Sequence, residues 1–173
     1  MSGETIKTLS LDPARDAFTW ALFHDEKLQE TGYLDIPTEV HWNVFSQYIE
    51  DFMGKFRDLI KQCKLDPKDS LIACERYHTN PDRVGPHVEQ VSMMVGVAAA
   101  SAYPIPFWPI HPVSWKAWTK KIYGHNDMPR LLEDMGYDIT HHEADAIGIG
   151  NYAYSQENHK QGHPLREIIV NHH

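Results

Sequence analysis

The sequence predicts an α/β protein built on a mixed five-stranded sheet, three antiparallel strands followed by two parallel ones, with helices on its faces. Two observations carry this expectation. Three strand-like segments follow one another on short, turn-rich connections near the N-terminus. Beyond them, helix-periodic stretches alternate with short apolar runs, giving the order βββαβαβα with extra helical turns.

The first strand, Thr5 to Leu11, alternates in character. Lys7, Leu9 and Leu11 face one way, while Thr8, Ser10 and Asp12 face the other, so a carboxylate ends the strand on its polar side. Asp12-Pro13 is a common turn opener with a solvated aspartate; the competing reading is a strand that presents a carboxylate at a site. "DAFTWALFHD" (Asp16 to Asp25) and "LQETGYLDI" (Leu28 to Ile36) complete an antiparallel meander. From Glu39 to Cys63, Phe45, Tyr48, Ile49, Phe52, Phe56, Leu59, Ile60 and Cys63 recur at helical spacing, with Thr38 available as N-cap. "LIACE" (Leu71 to Glu75) is a continuous apolar run suited to a strand buried on both faces, and it too ends on a carboxylate. Val88 to Ala102 reads as a second helix, rich in small residues. Ile105 to Pro112 holds a short strand whose prolines place it at an edge or cut it short. Ser114 is positioned to cap "WKAWTKKIYG", where Trp115, Trp118 and Ile122 form an apolar stripe and Lys116 and Lys120 lie on another face. "MPRLLEDMGY" is a further short helix. A last helix spans His141 to Asn158, and the tail beyond it is polar and patternless.

At 173 residues and 20.0 kDa one domain is expected, residues 1–173, with a core over about 5–155 and a polar tail over 156–173. Cys63 and Cys74 sit in apolar stretches and make no disulfide framework, and neither has a neighbouring ligand at zinc spacing. No basic-then-apolar signal opens the chain, and its longest small, apolar run is too short to span a bilayer. A soluble protein of a reducing, cytoplasmic compartment is therefore expected, with no membrane partner. The net charge of −8 does not favour nonspecific nucleic-acid binding, so any DNA contact must come from a local basic patch.

Acids at the end of the first strand (Asp12), at the end of the fourth (Glu75) and near the start of the last helix (Asp145) form a specific constellation. With "LSLDPARDAFTWAL", "IACERYHTN", "PVSWK" and "HEADAIGIGNYA" in this order, the chain resembles the RNase H-like nuclease fold, and within it the RuvC-type Holliday-junction resolvases, over roughly residues 5 to 155. The resemblance implies an opening carboxylate at Asp12, a second at Glu75, a closing pair at His142 and Asp145, and a backbone-contacting lysine at Lys116. It implies further DNA contacts from Lys120 and Lys121 and a junction-probing residue at Tyr77 or His78. The family's usual glycine after "DP" is Ala14 here. Also implied are two Mg²⁺ or Mn²⁺ ions per active site, branched double-stranded DNA as substrate, a homodimer, and a place in DNA recombination or repair.

The residue types suit this chemistry in their own right. Phosphodiester hydrolysis needs an activated water and neutralisation of charge at the transition state, which two hard cations supply, and carboxylates are their natural ligands. A histidine ligand at 142 favours Mn²⁺ somewhat, because imidazole suits transition ions. Any one of these acids alone is more often a solvated surface charge, and the lysines of "WKAWTKK" read equally as the solvated face of their helix. His141, four residues before Asp145, rivals His142 as ligand. A nuclease of the same fold acting on flaps or RNA-DNA hybrids, or a non-cleaving nucleic-acid-binding scaffold, is the alternative function.

Overall fold

The structure, a computed structural model, describes residues 5–36, 45–76, 86–134 and 136–157. Its elements in chain order are β1 (Lys7–Pro13), β2 (Ala17–His24), β3 (Lys27–Asp35), α1 (Phe45–Gln62), β4 (Ser70–Glu75), α2 (Pro86–Ala102), β5 (Phe107–Ile110), α3 (Pro112–Tyr123), α4 (Met128–Asp134) and α5 (His141–Glu157). The strands form one sheet in the order β3-β2-β1-β4-β5. β1 pairs antiparallel with β2 and parallel with β4; β3 extends the antiparallel side and β5 the parallel side. The expected mixed sheet is the observed one.

Strand parity decides what each face receives. Leu9 and Leu11 of β1, with Ile72 and Cys74 of β4, point to the side where Phe52, Phe56 and Leu59 of α1 and Met94, Ala98 and Ala102 of α2 complete a core. Leu71 and Ala73 point to the other side, into a core with Trp115 of α3, Met128 and Leu132 of α4, and Ala144, Ile147 and Ala153 of α5. β4 is thus buried on both faces, as its apolar run requires. Both cysteines are free and buried.

The polar side of β1 is also covered. Thr8 and Ser10 are fully buried beneath α5, which packs across β1 and β2. Ser10 Oγ lies 2.7 Å from the carbonyl of Ala146, an acceptor supplied by α5 itself. α5 approaches so closely because it carries glycine where the contact is tightest: a Cβ at Gly150 would sit 2.8 Å from Ser10 Oγ and run into the Phe23 ring.

Several boundaries differ from the sequence expectation. β1 continues through Asp12, which pairs with Thr19, so Asp12 is a strand residue and does not open the turn. α3 is capped by His111, whose ring Nδ1 accepts from the Val113 N–H at 3.2 Å, with Pro112 at the first helical position; Ser114 lies inside the helix. α2 begins at Pro86, ahead of Val88. β5 is both short and at the edge. The proposed cap Thr38, the start of the first helix at Glu39 and the tail from 158 onward lie outside the described residues. Among the described residues no helix is long and apolar enough to cross a membrane.

Candidate active site

The parallel pairing of β1 and β4 sends their C-terminal ends the same way. Leu11 pairs with Cys74, so Asp12 and Glu75 end up side by side. By parity both acids point to the face covered by α5 and α3. The carboxyl ends of parallel strands are where open α/β sheets place their sites.

α5 starts over this edge because its first turn is doubly tied. Thr140 Oγ1 accepts from the Glu143 N–H at 3.2 Å while Glu143 Oε2 accepts from the Thr140 N–H at 3.0 Å, a capping box. Glu143 Oε1 also accepts from Thr31 Oγ1 of β3 at 2.8 Å, which pins the helix start to the sheet. With α5 so held, His142 Nδ1 lies 2.7 Å from Asp12 Oδ2. An ionised carboxylate only accepts, so against ionised Asp12 this nitrogen donates. His141 is exposed at the first position of the helix.

Asp145, one turn along, faces the same region. Its Oδ2 lies 4.0 Å from Lys116 Nζ of α3. Glu75 Oε2 accepts from the indole Nε1–H of Trp115 at 2.6 Å. Asp12 is the most deeply buried of the acids, its side chain 8% exposed.

The charges of Asp12 and Asp145 bear on Glu75, and that of Asp12 on Asp145. Burial pushes the Glu75 carboxyl up to about 7, and the charges of Asp12 and Asp145 add to that, while Trp115 and Lys116 oppose it. Burial likewise raises Asp145 to about 6, Asp12 adding to it and Lys116 and His142 opposing. The hydrogen bond to Asp12 raises His142 above the ordinary imidazole value. Acids raised in this way are relieved either by a proton or by a cation. In chemistry, oxygen donors from Asp12, Glu75 and Asp145 with one imidazole suit Mg²⁺ or Mn²⁺. In placement, no three of the His, Cys, Asp and Glu side chains among the described residues are drawn together into a ready ligand cluster.

Lys120 and Lys121 are exposed in the last turn of α3, and the ion pairs to the site's acids among the described residues come from Lys116 and His142. Tyr77 and His78 lie outside the described residues. Sequence reasoning took Trp115 as part of an apolar stripe and missed its bond to Glu75. The available signal was that a fully buried indole N–H needs an acceptor.

No protein-family model and no curated protein matches this sequence. Solved structures do match. Thermus thermophilus RuvC in complex with Holliday junction substrate superimposes with a TM-score of 0.66 at 12% identity, covering 92% of this chain and 99% of that one. A second Thermus thermophilus RuvC structure gives 0.61 at 13%, covering 90% and 98%. The yeast mitochondrial Holliday junction resolvase gives 0.57 at 14%, covering 91% and 84%. The fold is therefore the RNase H-like fold of the RuvC-type resolvases.

Proposed function

We propose that this chain is a metal-dependent, structure-selective endonuclease that cleaves four-way DNA junctions by paired symmetric nicks. The observation that supports it is the placement of Asp12 and Glu75 at the adjoining ends of β1 and β4, with Asp145 of α5 near enough for its charge to bear on Glu75, at one end of a sheet of the resolvase fold. A buried Asp12 with half-buried Glu75 and Asp145 nearby carries a cost in repulsion and desolvation that a shared role would offset. A pair of Mg²⁺ or Mn²⁺ ions would supply charge neutralisation at the scissile phosphate and an activated water. Asp12, Glu75, His142 and Asp145 are the residues that would hold them. With Nδ1 donating to Asp12, Nε2 is the ring nitrogen left to offer a lone pair once His142 is neutral. Lys116, beside Asp145, would hold a backbone phosphate of the strand to be cut.

A four-way junction has two equivalent scissile strands, so paired nicks call for two sites related by a two-fold axis, hence a homodimer. The candidate interface is α2, whose run of small residues allows close approach; it turns Ala98 and Ala102 onto its own core. Its outward face instead carries Met93, Gly96 and Ala100, which are the residues left for a partner copy.

The test is incubation of the protein with a synthetic four-way junction, a flap and an RNA-DNA hybrid in Mg²⁺ or Mn²⁺. Symmetric nicks in the junction are expected, and preferential cutting of the flap or hybrid would overturn the substrate assignment. Asp12→Asn should cut at background level while still binding the junction, because an amide keeps the shape but cannot neutralise two cations. Turnover near wild type in that variant would remove the mechanism.

A further inference from the structure

α3 meets the site through two consecutive side chains. Pro112 and the His111 cap set the start of the helix, which places Trp115 wholly inside, with no exposed surface. Its indole N–H finds Glu75 Oε2 at 2.6 Å, a charge-assisted bond whenever Glu75 is ionised. The ring has a purpose-made seat: a Cβ at Gly148 of α5 would lie 2.8 Å from its Cζ3 and 3.3 Å from its Cε3. Lys116, the next residue, holds its Nζ 5.0 Å from the Trp115 ring centroid and 4.0 Å from Asp145 Oδ2. One turn of α3 therefore grips an acid from β4 and an acid from α5.

Resting on the nuclease reading, we propose that Trp115 is a positioning residue whose indole N–H fixes Oε2 of Glu75 so that Oε1 is presented to the cation in a single orientation. A glutamate has rotatable bonds to spare, and a carboxylate with both oxygens free can meet an ion in several ways. Tying one oxygen to a donor on a rigid, buried ring removes that freedom before the ion arrives. A core role alone asks only for an apolar ring of suitable size. The N–H is what separates the two roles.

The experiment is Mn²⁺ titration without DNA, read by the electron paramagnetic resonance of free Mn²⁺, beside melting curves and junction cleavage at saturating Mn²⁺. Trp115→Phe should weaken Mn²⁺ binding by about tenfold or more, the scale seen when a partner behind a metal ligand is lost. It should also lower turnover without changing KM for the junction. Trp118→Phe, on the same helix, should change neither. Because Trp115→Phe also removes core volume, the sharper variant carries 3-benzothienylalanine at position 115, where sulfur replaces the N–H in a ring of the same shape. Weakened Mn²⁺ binding at an unchanged melting temperature is expected there. Wild-type Mn²⁺ affinity in the isostere would overturn the inference and leave Trp115 a packing residue. A wild-type protein that neither binds Mn²⁺ nor cuts the junction would instead remove the nuclease reading, and this inference with it.

Discussion

The His142 ring is held above its ordinary pKa first by its hydrogen bond to Asp12, then by the charges of Asp12, Asp145 and Asp16, with burial opposing. As a cation it neutralises the site; as a neutral ring it can ligate. If His142 ligates a divalent ion, binding of that ion would expel a proton from the ring, and cleavage at limiting metal should decline with falling pH from a point higher than for a free imidazole. His142→Ala should lose most of the activity and His141→Ala little, since both rings are exposed but His142 is the one bonded to Asp12. His142→Asp should keep cleavage and tilt the preference from Mn²⁺ towards Mg²⁺, because a hard oxygen replaces a borderline nitrogen. Initial rates of junction cleavage for the three variants in each metal decide this. An inactive His141→Ala with a normal His142→Ala would show that the other histidine is the ligand.

At the scale of elements, the site depends on how closely α5 lies on β1. Gly150→Ala would push a methyl group into Phe23 and to 2.8 Å from Ser10 Oγ. Overpacking of this kind should cost about 1–3 kcal/mol, read as an earlier midpoint in urea with an unchanged slope. No loss of stability would mean that the helix has room to shift. The same contact explains what the sequence disclosed and what it hid. The strands were legible because their signals are local: alternation in β1 and the unbroken run in β4. Thr8 and Ser10 read as a polar face, and α5, contributing the Ala146 carbonyl from 136 residues away, makes that face interior. Likewise the acids could be found at strand ends, but the Trp115–Glu75 bond joins residues 40 apart on elements whose packing no local pattern encodes. The His111 cap escaped because a ring nitrogen did what Ser, Thr, Asp or Asn usually does at such a position.

For the molecule as a whole, a net charge of −8 and three acids gathered at one end set a dependence on pH and on cations. Glu75 is raised from 4.5 to about 7 and Asp145 from 3.8 to about 6, so between those limits the folded protein holds protons that the unfolded chain has released. Stability then falls as pH rises, each unit of raised pKa amounting to about 1.4 kcal/mol at full effect. His142 acts in the same sense: its contribution is present below 6.5 and is lost as pH climbs through its raised folded value. Asp69, lowered by its bonds to Ser70 and Lys7, works the opposite way, but its effect is complete above its ordinary value of 3.8 and leaves the neutral range alone; His24, lowered by burial and then by the charge of Lys7, also works the opposite way, just below 6.5, and offsets part of the trend. The metal-free protein should accordingly melt higher at pH 5.5 than at pH 8, by about 2–4 °C for each kcal/mol that the acids and His142 contribute. Mg²⁺ or Mn²⁺ should reverse the order, because on the proposed function the ions would bind the ionised acids and would stabilise the folded state most where those acids are already deprotonated. Glu75→Gln should flatten the metal-free slope and weaken the response to the ions together, since one carboxyl carries both effects. Melting curves at the two pH values, with and without the divalent ion, test all of this at once. A metal-free protein that becomes more stable from pH 5.5 to pH 8 would show that the buried acids are neutralised within the fold and do not wait for a cation.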